Sequence, residues 1–205
     1  MLIGVIDYGL GNLHSVAGAV DKSGYEYLVS ADPDALVAAD KLILPGVGAF
    51  KDGMRLISER GLKSFLDEAA NQRKIPILGI CLGAQLLTNG SEEFGWTEGF
   101  GWIDTDVKSL RHTGSQDRVP HIGWNNVEFS SGSKLFHGLP IDSLFYFVHS
   151  FGIVQGSGFT QTATCNYGFE FVAAFERENI FGVQFHPEKS QRHGLSVMRN
   201  FLAVG

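Results

Sequence analysis

Short apolar runs stopped by turns constrain this chain most. Leu2–Ile6 ends at Asp7, Lys41–Leu44 ends at Pro45-Gly46, and Ile75–Ile80 runs into a glycine-flanked cysteine. Such runs are too short for buried helices and read as strands covered on both faces. Between them, Leu13, Val16, Ala17 and Val20 recur at helical spacing. Leu62, Phe65, Leu66 and Ala69 fit the i, i+3, i+4, i+7 stripe of an amphipathic helix, and the chain from Leu82 onward looks helical again. Strand and helix in alternation predict parallel βαβ units. From Trp102 to Gln184 the chain turns aromatic and β-branched with Gly, Ser and Asn breaks, which predicts mostly antiparallel strands. The polar segment Arg111 to Arg118 is expected as a surface loop. Gly194 to Ala203 is expected as a closing helix, with Leu195, Met198, Phe201 and Leu202 on one face. The fold class expected is α/β: one domain over residues 1–205, a central mostly parallel sheet flanked by helices, with antiparallel strands in the second half.

Composition narrows the function classes. The 205 residues are 44% hydrophobic and 19% charged, an ordinary globular mix. With 16 basic and 22 acidic residues the net charge is −6, which argues against nucleic acid or an anionic membrane as partner. Cys81 and Cys165 form neither a C-x-x-C pair nor a disulfide framework, so a reducing cytoplasm is expected. Met1 to Asp7 lacks the basic start of a signal peptide, and no apolar run approaches the ~20 residues of a membrane span. No His, Cys or Asp cluster has zinc-ligand spacing. Gly9-Leu-Gly11 is two-thirds of a dinucleotide fingerprint, but His14 stands where the third glycine belongs.

Gly79-Ile-Cys-Leu-Gly83 follows a strand and opens a helix. This is the G-x-S-x-G nucleophile elbow with Cys in place of Ser. Such an elbow exposes the sulfur at the C-terminal end of a strand and sets it at a helix N-terminus, which favours the thiolate. Taken alone, the motif fits a buried structural cysteine equally well. A thiol nucleophile needs a base, and the base an orienter. Of seven histidines, His186 ends the apolar run Ile180–Phe185 and is followed by Pro187 and Glu188. In extended chain i and i+2 share a side, so Glu188 reaches one imidazole nitrogen while the other faces the sulfur. His-x-Glu alone is more often a strand-end histidine beside a solvated carboxylate. Pro45-Gly-Val-Gly-Ala-Phe50 is a third glycine-rich turn after a strand.

A Cys elbow followed 105 residues later by strand-His-Pro-Glu resembles the class I glutamine amidotransferases. The resemblance implies Cys81 as nucleophile, His186 as general base and acid, and Glu188 as orienter. It also implies an oxyanion hole from backbone at Val47, Gly48 and Leu82. Gln85, Glu93, His149, Ser150 and Phe151 are implied as contacts to glutamine, with Glu93 alternatively a solvated loop carboxylate. Trp124, Asn125 and Lys189 resemble partner-facing positions, although Trp124 is equally acceptable as core. No cofactor and no metal are implied. Asp7–Asn12, His121–Asn125, Tyr146–Ser150 and Phe185–Ser190 look like the branch of the class serving histidine biosynthesis. There the glutaminase pairs as a heterodimer with a (β/α)₈-barrel cyclase synthase that consumes the ammonia. Ser91–Gly95 and Ser190–His193 also look like paralogs that supply a sugar-modifying amidotransferase of surface-polysaccharide synthesis. A third alternative is a non-catalytic regulatory scaffold. Cys165 reads as a small buried residue.

Overall fold

The computed structural model describes residues 1–111 and 118–205. The first half runs β1 (Leu2–Ile6), α1 (Leu13–Asp21), β2 (Glu26–Ser30), α2 (Pro33–Leu36), β3 (Lys41–Gly46), α3 (Phe50–Glu59), α4 (Leu62–Asn71), β4 (Ile77–Cys81) and α5 (Leu82–Leu86). There follow β5 (Thr88–Ser91), β6 (Thr97–Glu98), β7 (Ile103–Ser109), β8 (His121–Asn126), β9 (Glu128–Phe129), β10 (Leu144–His149) and β11 (Phe151–Ile153). The chain closes with β12 (Gln161–Asn166), β13 (Glu170–Arg177), β14 (Ile180–Val183), a 3₁₀ turn (Pro187–Lys189) and α6 (Gln191–Ala203). The loop expected between Arg111 and Arg118 lies, over 112–117, outside the described residues.

One large sheet carries the order β2-β1-β3-β4-β14-β13-β11-β7-β5-β6, with β12 beside β13 and β9 beside β12. The block β2-β1-β3-β4-β14 is parallel throughout. From β14 the sheet continues antiparallel through β13, β11 and β7, and β5 returns parallel to β7. The sheet is therefore mixed, with its parallel part where the short apolar runs lie. β8 and β10 stand apart as a two-stranded antiparallel ribbon.

Burial on both faces explains the unbroken apolar character of the central strands. Leu42 and Leu44 of β3 enter one core cluster and Ile43 the other. Lys41, at the start of the same strand, is also buried. Its ammonium donates to the carbonyls of Phe201 (3.1 Å), Leu202 (2.7 Å) and Val204, satisfying the last turn of α6. Burial holds the Lys41 pKa below the ordinary lysine range.

The structure differs from the sequence reading at three places. β2 carries a half-exposed pattern and no apolar run. α3 follows directly on the Pro45–Phe50 turn and includes Gly53, where a Cβ would meet Leu86 Cδ atoms at 3.2 Å, so α3 packs closely on α5. The helix from Leu82 ends after five residues, because the Asn89-Gly90-Ser91 stretch, poor in helix propensity, pairs as β5.

Lys41→Met keeps the stem of the side chain but strands three helix-end carbonyls. The expected cost is about 1–3 kcal/mol, a fall in thermal midpoint of roughly 2–10 °C by circular dichroism. An unchanged midpoint would show that the clamp contributes nothing.

Candidate active site

β4 runs directly into α5 through Cys81, whose φ of 53° and ψ of −109° lie outside the regions a side chain favours. The flanking glycines are steric necessities. A Cβ on Gly79 would sit 2.6 Å from the Ala84 backbone, and one on Gly83 would overlap the Leu44 carbonyl oxygen. Parallel pairing sets Gly46 of β3 beside Cys81, which brings the turn after β3 to the nucleophile position. Gly48 in that turn has φ of +103°, a conformation suited to glycine. α5 has only five residues, too short to set a strong helix dipole at Cys81.

β14 lies on the other side of β4, pairing Val183 with Ile80, and delivers His186 just beyond its end. His186 Nδ1 meets Glu188 Oε1 at 2.8 Å, with both side chains nearly sealed from solvent. Glu188 reaches it through the 3₁₀ turn opened by Pro187, rather than along extended chain as the spacing rule assumed. His186 Nε2 is buried and, among the described residues, makes no hydrogen bond of ordinary geometry. Burial alone would lower the His186 pKa. Interaction with Cys81 and Glu188 outweighs it and holds the imidazole above its ordinary value. Ser190 pins the turn: its hydroxyl donates to the His186 carbonyl (2.6 Å) and accepts from Tyr146 N–H (2.9 Å).

A cavity of about 400 Å³ opens over Cys81. Val47, Gly48, Leu82, Gln85 and Glu93 line it together with His149, Ser150, Phe151 and His186. Every residue expected at the oxyanion hole or the glutamine site is thus brought together. Pro120 joins them with no sequence signal that would have selected it, and Val148 from within the Tyr146–Ser150 segment. Glu93 is not a free loop carboxylate: its Oε2 accepts from Phe50 N–H at 2.8 Å and caps α3, which otherwise has no side-chain cap. The Gln85 amide donates to the Phe151 carbonyl (2.8 Å) and to Gln184 Oε1 (3.0 Å), and Gln184 Nε2 lies 3.6 Å from Cys81 Sγ.

Trp124, Asn125 and Lys189 lie outside the cavity. Trp124 is exposed on the outer face of the ribbon beside Tyr146, and Lys189 is exposed on the 3₁₀ turn. Asn125 donates to the Asn166 carbonyl at 3.2 Å. Cys165 is buried and its thiol pKa is pushed up to about 12, chiefly by burial, which leaves it unreactive.

Comparison with known proteins follows the same lines. The model of the family described as glutamine amidotransferase class-I matches residues 4–204. A protein of Moorella thermoacetica named imidazole glycerol phosphate synthase subunit HisH is 48% identical over 97% of this chain and 93% of its own length. A Vibrio vulnificus protein named imidazole glycerol phosphate synthase subunit HisH 2 is 46% identical over 98% and 94%. Among solved structures, one titled glutamine amidotransferase superposes with a TM-score of 0.75 at 19% identity, covering 98% of this chain and 96% of that one.

The wall of the cavity predicts an unusual histidine. His149 Nδ1–H donates to the Phe151 carbonyl (2.8 Å), so its Nε2 accepts from His121 Nδ1–H (3.0 Å). Burial above all, with His121 and His186 nearby, pushes the His149 pKa down to about 3. Its resonances should stay neutral between pH 8 and 5 by NMR. With an unfolded value near 6.5, the neutral ring's contribution is complete above that pH and is lost as pH falls toward 3. Replacement by Gln should flatten that fall by up to about 1.4 kcal/mol per pH unit.

Proposed function

The chain belongs to the class I glutamine amidotransferase family, and we propose that it is the glutaminase subunit of an imidazole glycerol phosphate synthase, working in the cytoplasm. As a member it hydrolyses glutamine and supplies ammonia to a synthase subunit. The observation that carries the site assignment is the strained Cys81 beside the buried His186, with Glu188 locked on Nδ1.

Cys81 thiolate attacks the side-chain carboxamide carbon of glutamine. Negative charge develops on the amide oxygen, where Leu82 N–H and backbone N–H at Val47 and Gly48 receive it. The imidazolium of His186 gives its Nε2 proton to the amide nitrogen, the C–N bond breaks, and ammonia departs. A γ-glutamyl thioester remains on Cys81. Water then loses a proton to His186 Nε2 and attacks the thioester carbon, and the C–S bond breaks to release glutamate and restore the thiolate. Glu188 keeps the ring oriented and stabilises its charge. The raised His186 pKa suits this cycle, because the imidazole holds its Nε2 proton ready for the departing ammonia. Gln85, Glu93 and the backbone at His149, Ser150 and Phe151 frame the substrate. All reacting groups are protein groups, so the reaction needs no cofactor and no metal.

Ammonia released into water becomes ammonium and loses its nucleophilicity, so it must pass directly to a partner site. The ribbon offers the docking face: Ile122, Trp124 and Leu144 stand exposed on it, while Phe145 and Phe147 face inward. With Lys189 it supports a heterodimer with a (β/α)₈-barrel cyclase. The names of the relatives favour this acceptor over sugar amidation.

Glutamate release should be low for the chain alone and rise on adding a barrel cyclase with its nucleotide ligand. Cys81→Ala should abolish it, and Glu188→Gln should lower kcat by about 10²–10⁴. Trp124→Ala should weaken the complex about tenfold or more by titration calorimetry while leaving the fold intact. Equal rates with and without the cyclase would overturn the partner assignment.

A further inference from the structure

Gln184 lies in the middle of an apolar strand end, 1% exposed, where a polar side chain needs a reason. Its backbone N–H bonds to the Ala173 carbonyl and completes the sheet, so that reason is not the backbone. The side chain is fixed at both ends: Oε1 accepts from Gln85 Nε2 at 3.0 Å, and Nε2 lies 3.6 Å from Cys81 Sγ.

The direction of this chain is forced. The Phe151 carbonyl can only accept, so Gln85 must present its NH₂ there, at 2.8 Å. That same NH₂ faces Gln184, which must therefore answer with its oxygen. Turning Gln184 over would set two NH₂ groups against each other. Its own NH₂ is then left facing the sulfur. A backbone carbonyl on one wall of the cavity thus sets the polarity of a donor aimed at the nucleophile.

We infer that Gln184 is a catalytic residue, whose side-chain amide donates a hydrogen bond to Cys81 Sγ, favours the thiolate and fixes the direction of its attack. Gln85 is the positioning residue that orients it. This rests on Cys81 being the nucleophile. In the first step the donor holds the anionic sulfur ready beside the His186 imidazolium. In the second, as the C–S bond of the thioester breaks, the electron pair returns to sulfur and the same N–H receives it.

The test uses the full chain carrying Cys165→Ala, so that Cys81 is the only thiol. Alkylation by iodoacetamide is followed by mass spectrometry across pH, with thiolate absorbance read in parallel. Gln184→Met keeps the volume and removes the donor; Gln184→Glu replaces it with a like charge; Gln85→Met frees the amide while leaving Gln184 in place. Gln184→Met should raise the alkylation midpoint by about one pH unit, with roughly tenfold slower alkylation at neutral pH, and Gln184→Glu by more. Gln85→Met should move it the same way by less. If Gln184→Met does not fold, the shift in Gln85→Met decides. An unmoved midpoint in the folded variants overturns the inference. Glutamate release with the partner is measured separately: a wild type silent there overturns the partner assignment, while the alkylation profiles still judge the contact.

Discussion

Everything in this molecule depends on how three parallel strands, β3, β4 and β14, align at their C-terminal ends. Gly46 pairs with Cys81, and Val183 pairs with Ile80 one residue earlier. A shift of one residue in either pairing would turn the side chains to the opposite face and take the sulfur away from its base. Register is held because both faces of these strands are buried, so each residue has one acceptable side. Glycines at 46, 79 and 83 allow the approach: at each, a Cβ would strike a neighbouring strand, the following helix or Tyr8. The stability of the two cores thus fixes the site to within side-chain reach.

Around that alignment, buried polar groups are arranged so that each has a direction. The Phe151 carbonyl receives two donors, from Gln85 and from His149, and so sets both the amide on one side and the imidazole tautomer on the other. Ser190 joins β10, at Tyr146, to the turn that carries His186 and Glu188. Glu93, which lines the cavity, also caps the start of α3. The ribbon is therefore bonded to the nucleophile's surroundings through side chains as well as through packing.

Legibility in the sequence followed the range of the interactions. The cysteine elbow could be read because its glycines are demanded by contacts within a few residues or by the adjacent strand. His186 and Glu188 could be read for the same reason, although a 3₁₀ turn and not an extended segment joins them. The parallel block was visible because burial on both faces leaves an uninterrupted apolar run. β2 was not, since it is half exposed, and neither was α3, whose cap comes from Glu93, 43 residues away. Gln184 was hidden in an apolar run because its partners are 99 and 103 residues distant. The spacing rule that joined 186 to 188 does extend back to 184, and that was the available signal.

β14 has a further consequence for how the chain is made. It is the last strand in sequence yet fills the middle of the sheet, between β4 and β13. On a ribosome, β4 is complete about a hundred residues before its neighbour emerges. Throughout that interval the nascent parallel half presents β4 as an apolar edge with open hydrogen bonds, a surface prone to pair with another chain. The enzyme acquires its base only when that seam is closed.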